Sequence, residues 1–175
     1  MSRFSLASKI VGLFLVLATL AGCAGYRVGN ISGRNLQGVR SVYVPVAKNM
    51  SLEPDLQVTA TNAIIRRFNN DGTLEVNQNA NADSELDVTI TDVHRTATRS
   101  STSDVLVTAQ YQLTIQAKVT FTNRRLGRKI FENTVVSGST TFFTQANIQE
   151  GERQALPLAA EDLANNTVKL VTEGW

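Results

Sequence analysis

Residue types that can perform chemistry are scarce in this sequence. Cys23 is the only cysteine and His94 is the only histidine. A single cysteine can form neither an intramolecular disulfide nor a thiolate metal site. The sequence also contains no Gly-x-Ser-x-Gly elbow, no phosphate-binding loop and no residues spaced like metal ligands. These observations argue against an enzyme and predict no cofactor, because a lone histidine at a strand end is more often structural than catalytic.

Three acidic residues, Asp83, Glu85 and Asp87, recur at every second position. This spacing places them on one face of a strand. There they could form a cation site or a carboxylate pair. A solvated strand start explains the same pattern, and we favour that interpretation, so we predict no metal site.

Basic residues form two clusters. Arg95 and Arg99 border the Ser/Thr-rich segment 96–103, and the next turn carries Arg124, Arg125, Arg128 and Lys129. Arginine binds phosphate through paired hydrogen bonds, so either cluster could hold a phosphorylated ligand. The two clusters lie at opposite ends of a predicted long strand and cannot form one site if that strand is straight. Solvated turn charge is the alternative for each.

The charge balance does not indicate a nucleic-acid partner. The chain has 17 Lys+Arg and 15 Asp+Glu, a formal charge of +2. Arg3 and Lys9 account for this excess, and both lie in an N-terminal segment that we expect to be removed. The remaining positive and negative side chains then balance, which removes the electrostatic basis for nucleic-acid binding.

The N-terminal segment has the order of an export signal. Arg3 and Lys9 precede the apolar run 10–18, which is too short to span a bilayer. The following Leu20-Ala21-Gly22-Cys23 resembles the bacterial lipoprotein signal. The resemblance implies cleavage before Cys23, a diacylglyceryl group on its thiol and a fatty acid such as palmitate on its amine. An ordinary secretory signal with a chance cysteine and an N-terminal anchor helix are the alternatives.

Lipidation would decide where the protein resides. Two or three acyl chains on one residue give stable membrane attachment, whereas one chain binds reversibly. Residue 24 is Ala and not Asp. By analogy with enterobacterial sorting, this implies the periplasmic side of the outer membrane. We therefore expect a signal peptide over residues 1–22 and a lipidated tether over residues 23–38.

The rest of the chain predicts an α+β domain. Residues 39–46 are rich in valine and indicate a β-branched strand, and Pro45 places the end of this strand near a sheet edge. A helix follows, from Pro54 to a stop at residues 69–72. Its predicted buried stripe consists of Leu56, Ala60, Ala63, Ile64 and Phe68.

A short strand is predicted over Thr73–Val76, and period-two patterns then dominate. Apolar residues alternate over 86–90, and every odd position from Val105 to Phe121 is apolar, which is typical of a half-buried strand. Residues 130–143 mirror this strand as a hairpin partner, with Gly138 predicted to mark a bulge or bend. A second helix is expected near Pro157, with a stripe of Leu156, Ala159, Ala160, Leu163, Thr167, Leu170 and Val171.

These elements predict the order β-α-β-β-β-β-α. We expect a mostly antiparallel sheet of four to five strands, with both helices packed on one face. The exposed face of the long strand would carry even-numbered residues that are polar but almost uncharged, among them Gln110, Gln112, Thr114 and Gln116. An ordinary solvated face is the alternative to an interface, although solvated faces usually carry more mixed charge.

The order and spacing of several motifs resemble the lipopolysaccharide-assembly lipoprotein family, LptE. The resemblance covers nearly the whole chain after the signal. It rests on the lipidated cysteine followed by Gly25-Tyr26, on Val44-Pro45-Val46-Ala47-Lys48-Asn49, on Phe68 with Gly72, on Ala82-Asp83, on the long strand with Tyr111 and on the alanine-rich C-terminal helix.

The resemblance implies a single LptE-like domain over residues 39–175 and a non-enzymatic role. Members of the family plug the outer-membrane barrel LptD, assist its assembly and bind lipopolysaccharide on its way to the outer leaflet. By this resemblance Gln110, Gln112, Thr114 and Gln116 would face the barrel. Of the two basic clusters we favour Arg95 and Arg99 for lipopolysaccharide, because neighbouring hydroxyl groups offer further donors. The alternative is a structural or interaction lipoprotein of the periplasmic envelope without lipopolysaccharide binding.

Overall fold

The structure is a computed structural model, and it describes residue 36 and residues 38–78, 81–99, 109–144 and 148–174. These residues belong to one compact unit. Its elements, in chain order, are β1 (Ser41–Tyr43), β2 (Lys48–Asn49), α1 (Leu56–Asp71), β3 (Glu75–Val76), β4 (Ser84–Arg99), β5 (Ala109–Asn123), β6 (Arg128–Thr144) and α2 (Ile148–Glu173).

The described strands form one mixed, six-stranded sheet in the order β3-β1-β4-β5-β6, with β2 paired to β4. β1 pairs in parallel with β3 and β4, and β2 pairs in parallel with β4. The pairs β4–β5 and β5–β6 are antiparallel. The α+β class is confirmed. The prediction of a mostly antiparallel sheet with four to five strands is wrong, and so is the order with one strand before the first helix.

Pro45 explains the additional strand and the different order. Proline has no N–H to donate to a sheet, so the strand predicted over residues 39–46 ends at Tyr43 and pairing resumes at Lys48. The second strand, β2, is only two residues long, so its sequence shows no periodicity. Helix α1 then crosses back over the sheet before β3, and such a crossover is what allows β1 and β3 to run in parallel.

The three long strands form the predicted meander. β4 pairs with β5 from Ser84↔Asn123 to Arg99↔Gln110, and β5 pairs with β6 along its whole length. The alternation predicted for β5 is confirmed, because Leu113, Ile115, Ala117, Val119 and Phe121 are all buried. Val105 and Val107 lie outside the described residues.

Helix α1 agrees with its predicted stripe. Leu56, Ala60, Ala63, Ile64 and Phe68 are all buried. The helix ends where the Gly72 backbone adopts a left-handed conformation (φ 72°) and its N–H donates to the Phe68 carbonyl at 2.9 Å. Glycine enters this conformation without a side-chain clash, which makes it a common helix terminator.

Helix α2 starts earlier than predicted. It begins at Ile148, so Pro157 lies inside it and not near its start. The stripe is confirmed at Ala159, Ala160, Leu163, Thr167 and Val171, whereas Leu156 and Leu170 are only partly buried. The helix packs on β6 and β5 and also on α1. The two helices thus share one core with the inner face of the sheet.

Gly138 marks the place where α2 approaches β6 most closely. The expected bulge is not there, because Gly138 pairs in register with Ile115 and the irregularities of β6 lie opposite Val119–Thr122. A Cβ atom at residue 138 would lie 2.1 Å from the Leu163 nitrogen and 2.4 Å from the Ala159 oxygen. Glycine is therefore required for the contact between strand and helix backbone and not for a bend.

Two side chains of α2 flank this contact. The Ser139 N–H donates to Asp162 Oδ2 at 2.8 Å, and Asn166 Nδ2 donates to the Ser137 carbonyl at 2.8 Å. β6 is the edge strand of the sheet. These hydrogen bonds satisfy backbone groups that an edge strand would otherwise offer to another chain.

We expect Gly138→Ala to destabilise the fold by about 1–3 kcal/mol, because backbone atoms of α2 must move to admit the methyl group. In an open strand the same change would instead stabilise by about 0.5–1 kcal/mol. The sign of the change in unfolding free energy, measured by urea titration, therefore tests the contact. Ser137→Ala on the exposed side of β6 is the control, and equal or greater stability of Gly138→Ala would contradict the contact.

Candidate functional site

The basic turn between β5 and β6 is held by the acidic start of β4. Arg124 Nη2 lies 2.6 Å from Glu85 Oε2, and Arg124 Nε donates to the same oxygen at 3.0 Å. The Arg124 guanidinium also lies over the Tyr43 ring, with Cζ 5.4 Å from the ring centroid. This favourable cation–π geometry and the ion pair fix Arg124 against the sheet.

The neighbouring cations are also engaged. Arg125 Nη1 lies 3.5 Å from Asp83 Oδ1 and donates to the Gly38 carbonyl at 3.1 Å. Lys129 pairs with Glu132. Within the described ranges, no group of three His, Cys, Asp or Glu side chains is arranged to hold a metal ion. The acidic triplet and the basic turn therefore form one structural network.

The titration of the acidic residues reflects this network. The hydrogen bond from the Arg40 N–H (2.9 Å) lowers the pKa of Asp83 below its ordinary value of 3.8, and the charge of Arg125 lowers it further. Partial burial raises the pKa of Asp87 above 3.8, and the nearby Glu85 carboxylate adds to this rise. The pKa values of Asp83 and Asp87 thus shift in opposite directions, because a backbone N–H stabilises the Asp83 carboxylate whereas the effect of burial is largest at Asp87.

We expect Asp83→Asn to lower the unfolding free energy by about 1–2 kcal/mol at pH 7, since a charge-assisted hydrogen bond and an ion pair are lost. A carboxyl whose pKa falls on folding stabilises the protein above its unfolded pKa and loses this effect as the pH falls through its folded pKa. The difference between variant and wild type, measured by urea unfolding from pH 7 to pH 2, should therefore shrink below pH 3.8.

The control for this prediction is Asp71→Asn, since Asp71 is exposed and accepts the N–H of its near neighbour Thr73 at 3.2 Å. Equal effects of the two substitutions, or a difference at Asp83 that does not depend on pH, would contradict the assignment.

Arg95 and Arg99 lie in strand β4 and not in a loop. The strand runs on to Arg99, with Arg95 paired to Leu113 and Arg99 paired to Gln110. The register shifts between Ile90 and Asp92, which moves Arg95 to the face that carries buried Leu113. There its guanidinium pairs with Glu152 of α2. The Arg99 side chain and residues 101–103 lie outside the described parts.

Two clefts adjoin the Arg95–Glu152 pair. One has a volume of about 370 Å³ and a rim that includes Met50 and Leu52, and the other has about 840 Å³ and a lining that includes Ile148 and Leu156. Leu52 is fully exposed and Met50 is 72% exposed. Arg95 thus lies near exposed apolar side chains, but the same clefts also carry the carboxylates of Glu53 and Glu152. Met50 and Leu52 are not among the site residues predicted from the sequence. The only sequence feature that marks them is their apolar character within a polar turn.

The outer face of the sheet separates into a charged and a neutral half. Near the basic turn the paired residues include Glu85, Asp87, Lys118 and Lys129. At the other end the pairings align rows of residues on one face, since directly paired side chains share a face. These rows are Asp92–Gln116–Ser137, His94–Thr114–Ser139 and Thr96–Gln112–Thr141, and the last row, Arg99–Gln110–Phe143, ends the surface with one cationic residue.

We call this second half the neutral patch and define it by Gln110, Gln112, Thr114, Gln116 and their partners on β4 and β6 in these rows. Asp92 is its one carboxylate, and it lies 3.3 Å from His94 Nδ1. The four β5 residues predicted to face a partner are thus brought together, and each is partly exposed. His94 lies within the patch and not in a catalytic arrangement with another described nucleophile.

Cys23 and the expected signal and tether lie outside the described residues. In the parts of the chain that the structure covers, neither helix is long and apolar enough to cross a membrane.

The fold resembles solved domains at low sequence identity. A homologue of neuraminyllactose-binding hemagglutinin from Helicobacter pylori superposes with a TM-score of 0.53 at 9% identity, covering 85% of this chain and 90% of that one. A minor lipoprotein from Acinetobacter baumannii gives a TM-score of 0.46 at 12% identity, covering 78% and 94%. No curated protein sequence matches the chain.

The first of these similarities shows a shared α+β fold and nothing about ligands. The sequence itself is more specific, because the family model for LptE, described as lipopolysaccharide-assembly, matches residues 39–169. The chain belongs to the LptE family of lipopolysaccharide-assembly lipoproteins, which is a non-enzymatic family. The resemblance inferred from the motifs is confirmed.

Proposed function

We propose that this protein is the plug and assembly partner of the lipopolysaccharide-exporting barrel LptD. It would be anchored through lipidated Cys23 to the periplasmic side of the outer membrane and assist the insertion of lipopolysaccharide into the outer leaflet. Membership of the LptE family supports this proposal. The proposal also keeps the expected division into signal (1–22), tether (23–38) and domain (39–175).

The observation that carries the barrel assignment is the neutral patch. Its glutamine, threonine and serine side chains can exchange hydrogen bonds with water for hydrogen bonds with a polar wall at little cost. Charged side chains would lose much more on leaving water. A face of this composition, wide enough to span three strands, suits contact with the polar interior of a barrel.

We expect Gln112→Glu and Thr114→Arg to weaken the complex with LptD, because each places a charge against a contact surface without an arranged partner. The cost is on the order of 1–3 kcal/mol if the contact is desolvated, or about fivefold to 150-fold in affinity. Co-purification of LptD from detergent-solubilised membranes measures the loss.

The matched control is Asn62→Arg, which adds a charge at an exposed position on α1. Thermal unfolding of each isolated variant should remain close to wild type. Undiminished recovery of LptD with both patch variants would rule out this face as the contact surface.

Direct lipopolysaccharide binding would involve Arg95 and Arg99. Arg95 lies between two clefts whose mostly polar linings also include exposed apolar side chains such as Leu52, and this proximity supports recognition of phosphate beside acyl chains. Its pairing with Glu152 means that a phosphate must compete with a carboxylate. This same pairing favours the second candidate function, an envelope interaction lipoprotein without lipopolysaccharide affinity, in which Arg95 serves only to hold α2.

The two functions differ in the response to substitutions around Arg95. If phosphate binds there, Arg95→Ala/Arg99→Ala should weaken lipid A binding, whereas Glu152→Gln should strengthen it by releasing Arg95. Binding should also weaken with added salt, since exposed charges are screened over about 8–10 Å. Equilibrium binding of lipid A to the purified lipidated protein measures all three effects.

Arg128→Ala at the exposed basic turn is the control. Wild-type affinity in the double variant and in Glu152→Gln would exclude Arg95 and Arg99 as the lipopolysaccharide site. If LptD still co-purifies in that case, the second candidate function, an envelope interaction lipoprotein without lipopolysaccharide affinity, would account for the protein.

A further inference from the structure

A second cationic site lies between the two helices, away from the sheet. Arg67 of α1 is half-buried, and its Nε is fully buried without a hydrogen-bond partner among the described residues. Buried donors in folded proteins are almost always paired, because an unpaired donor has lost its hydrogen bonds to water without forming new ones. The described protein groups therefore leave hydrogen-bonding capacity of the Arg67 guanidinium unused.

Arg67 lines a small cleft between the outer sides of α1 and α2. The cleft has a volume of about 240 Å³, and Ala63, Arg66, Arg67, Asn70, Glu161 and Asn165 line it. Pockets for drug-sized ligands span roughly 300–1,000 Å³. The cleft is thus suited to an ion or a single head group and too small for an extended ligand.

The charges in the cleft favour an anion. Arg66 and Arg67 supply two positive charges, and Glu161 supplies one negative charge. Arg66 Nη2 lies 3.8 Å from Glu161 Oε1, and both side chains are more than half exposed, at 60% and 58%. Such exposed pairs are weak, so Arg66 can turn towards a stronger acceptor. The amide groups of Asn70 and Asn165 offer further donors.

We propose that this cleft binds a phosphate group. Two guanidinium groups with two amides present more donors than the two oxygens of a carboxylate can accept well, whereas a phosphate has oxygens on several sides and pairs bidentately with arginine. Free phosphate and the phosphate of a lipid head group share this chemistry. The site is independent of the proposed function, because Asn165 lies 13 residues beyond Glu152 on α2, or roughly 20 Å along the helix axis.

The test uses the purified full-length protein in detergent micelles, titrated with inorganic phosphate and followed by NMR of the arginine Nε–H groups. Arg67 should show a saturable shift. Arg67→Lys keeps the charge but lacks the Nε donor and the planar fork, so phosphate affinity should fall at least about tenfold. Arg153→Lys on α2 is the control, because the Arg153 side chain is 77% exposed and does not line the cleft.

A second variant covers the case in which Arg67→Lys disturbs packing. Asn165→Asp adds a negative charge to the cleft at a partly exposed position and should abolish phosphate binding while the thermal unfolding temperature stays near wild type. Bicelles with and without phosphatidylglycerol then distinguish the source of the phosphate. A response of Arg67 to bicelles but not to free phosphate would assign a lipid head group, and a response to free phosphate alone would assign the free ion. If Arg67 responds to neither, the proposal is wrong.

Discussion

The direct contact between the backbones of α2 and β6 is the constraint on which the rest of the structure depends. Gly138 leaves no side chain between strand and helix, and the backbone atoms of Ala159 and Leu163 face it directly. The hydrogen bonds of Asp162 and Asn166 on either side fix the helix along the strand. Since α2 covers the inner face and also packs on α1, this contact decides which face of the sheet stays outside. It also brings Glu152 to Arg95.

The first of two irregularities in β4, between Ile90 and Asp92, decides where His94 and Arg95 lie. The second, between Ala97 and Arg99, pairs Arg99 with Gln110 of the outer face. Before the first irregularity, even positions such as Val88 and Ile90 are buried, and after it Val93 and Arg95 take the inner face. Thr91 Oγ1 donates to the Gln116 carbonyl at 3.2 Å at this point. A strict alternation would have put Arg95 on the same face as Asp83 and Glu85. The bulge instead separates Arg95 from the acidic network and places His94 in the neutral patch.

Local sequence patterns predicted the elements well, because the periodicity of buried positions and the end of a helix depend on residues close together in the chain. The buried positions of β5 and α1 follow from periods of 2 and 3.6 residues, and Gly72 ends α1 as its position suggested. The parallel pairing of β1 and the two-residue β2 depend on partners distant in sequence and left no periodic trace. For the same reason the sequence showed the composition of the patch on β5 but neither its neighbours on β4 and β6 nor the pairing of Arg95 with Glu152. The sequence predicted a bulge or bend at Gly138. The structural reason for glycine there is the close approach of α2, a helix that follows later in the chain.

The distribution of charge over the sheet links stability to a surface suited to binding. Arg124 and Arg125 are satisfied by Glu85 and Asp83 at one end of the sheet, where these contacts hold the turn to the strands. Desolvating such pairs within an interface often costs more than their attraction returns. Neutral hydroxyl and amide groups carry a smaller cost, provided that the partner offers hydrogen bonds. Confining most charges to one end therefore leaves Gln112, Thr114 and their neighbours on a surface that a polar partner can cover without separating ion pairs on which the fold depends.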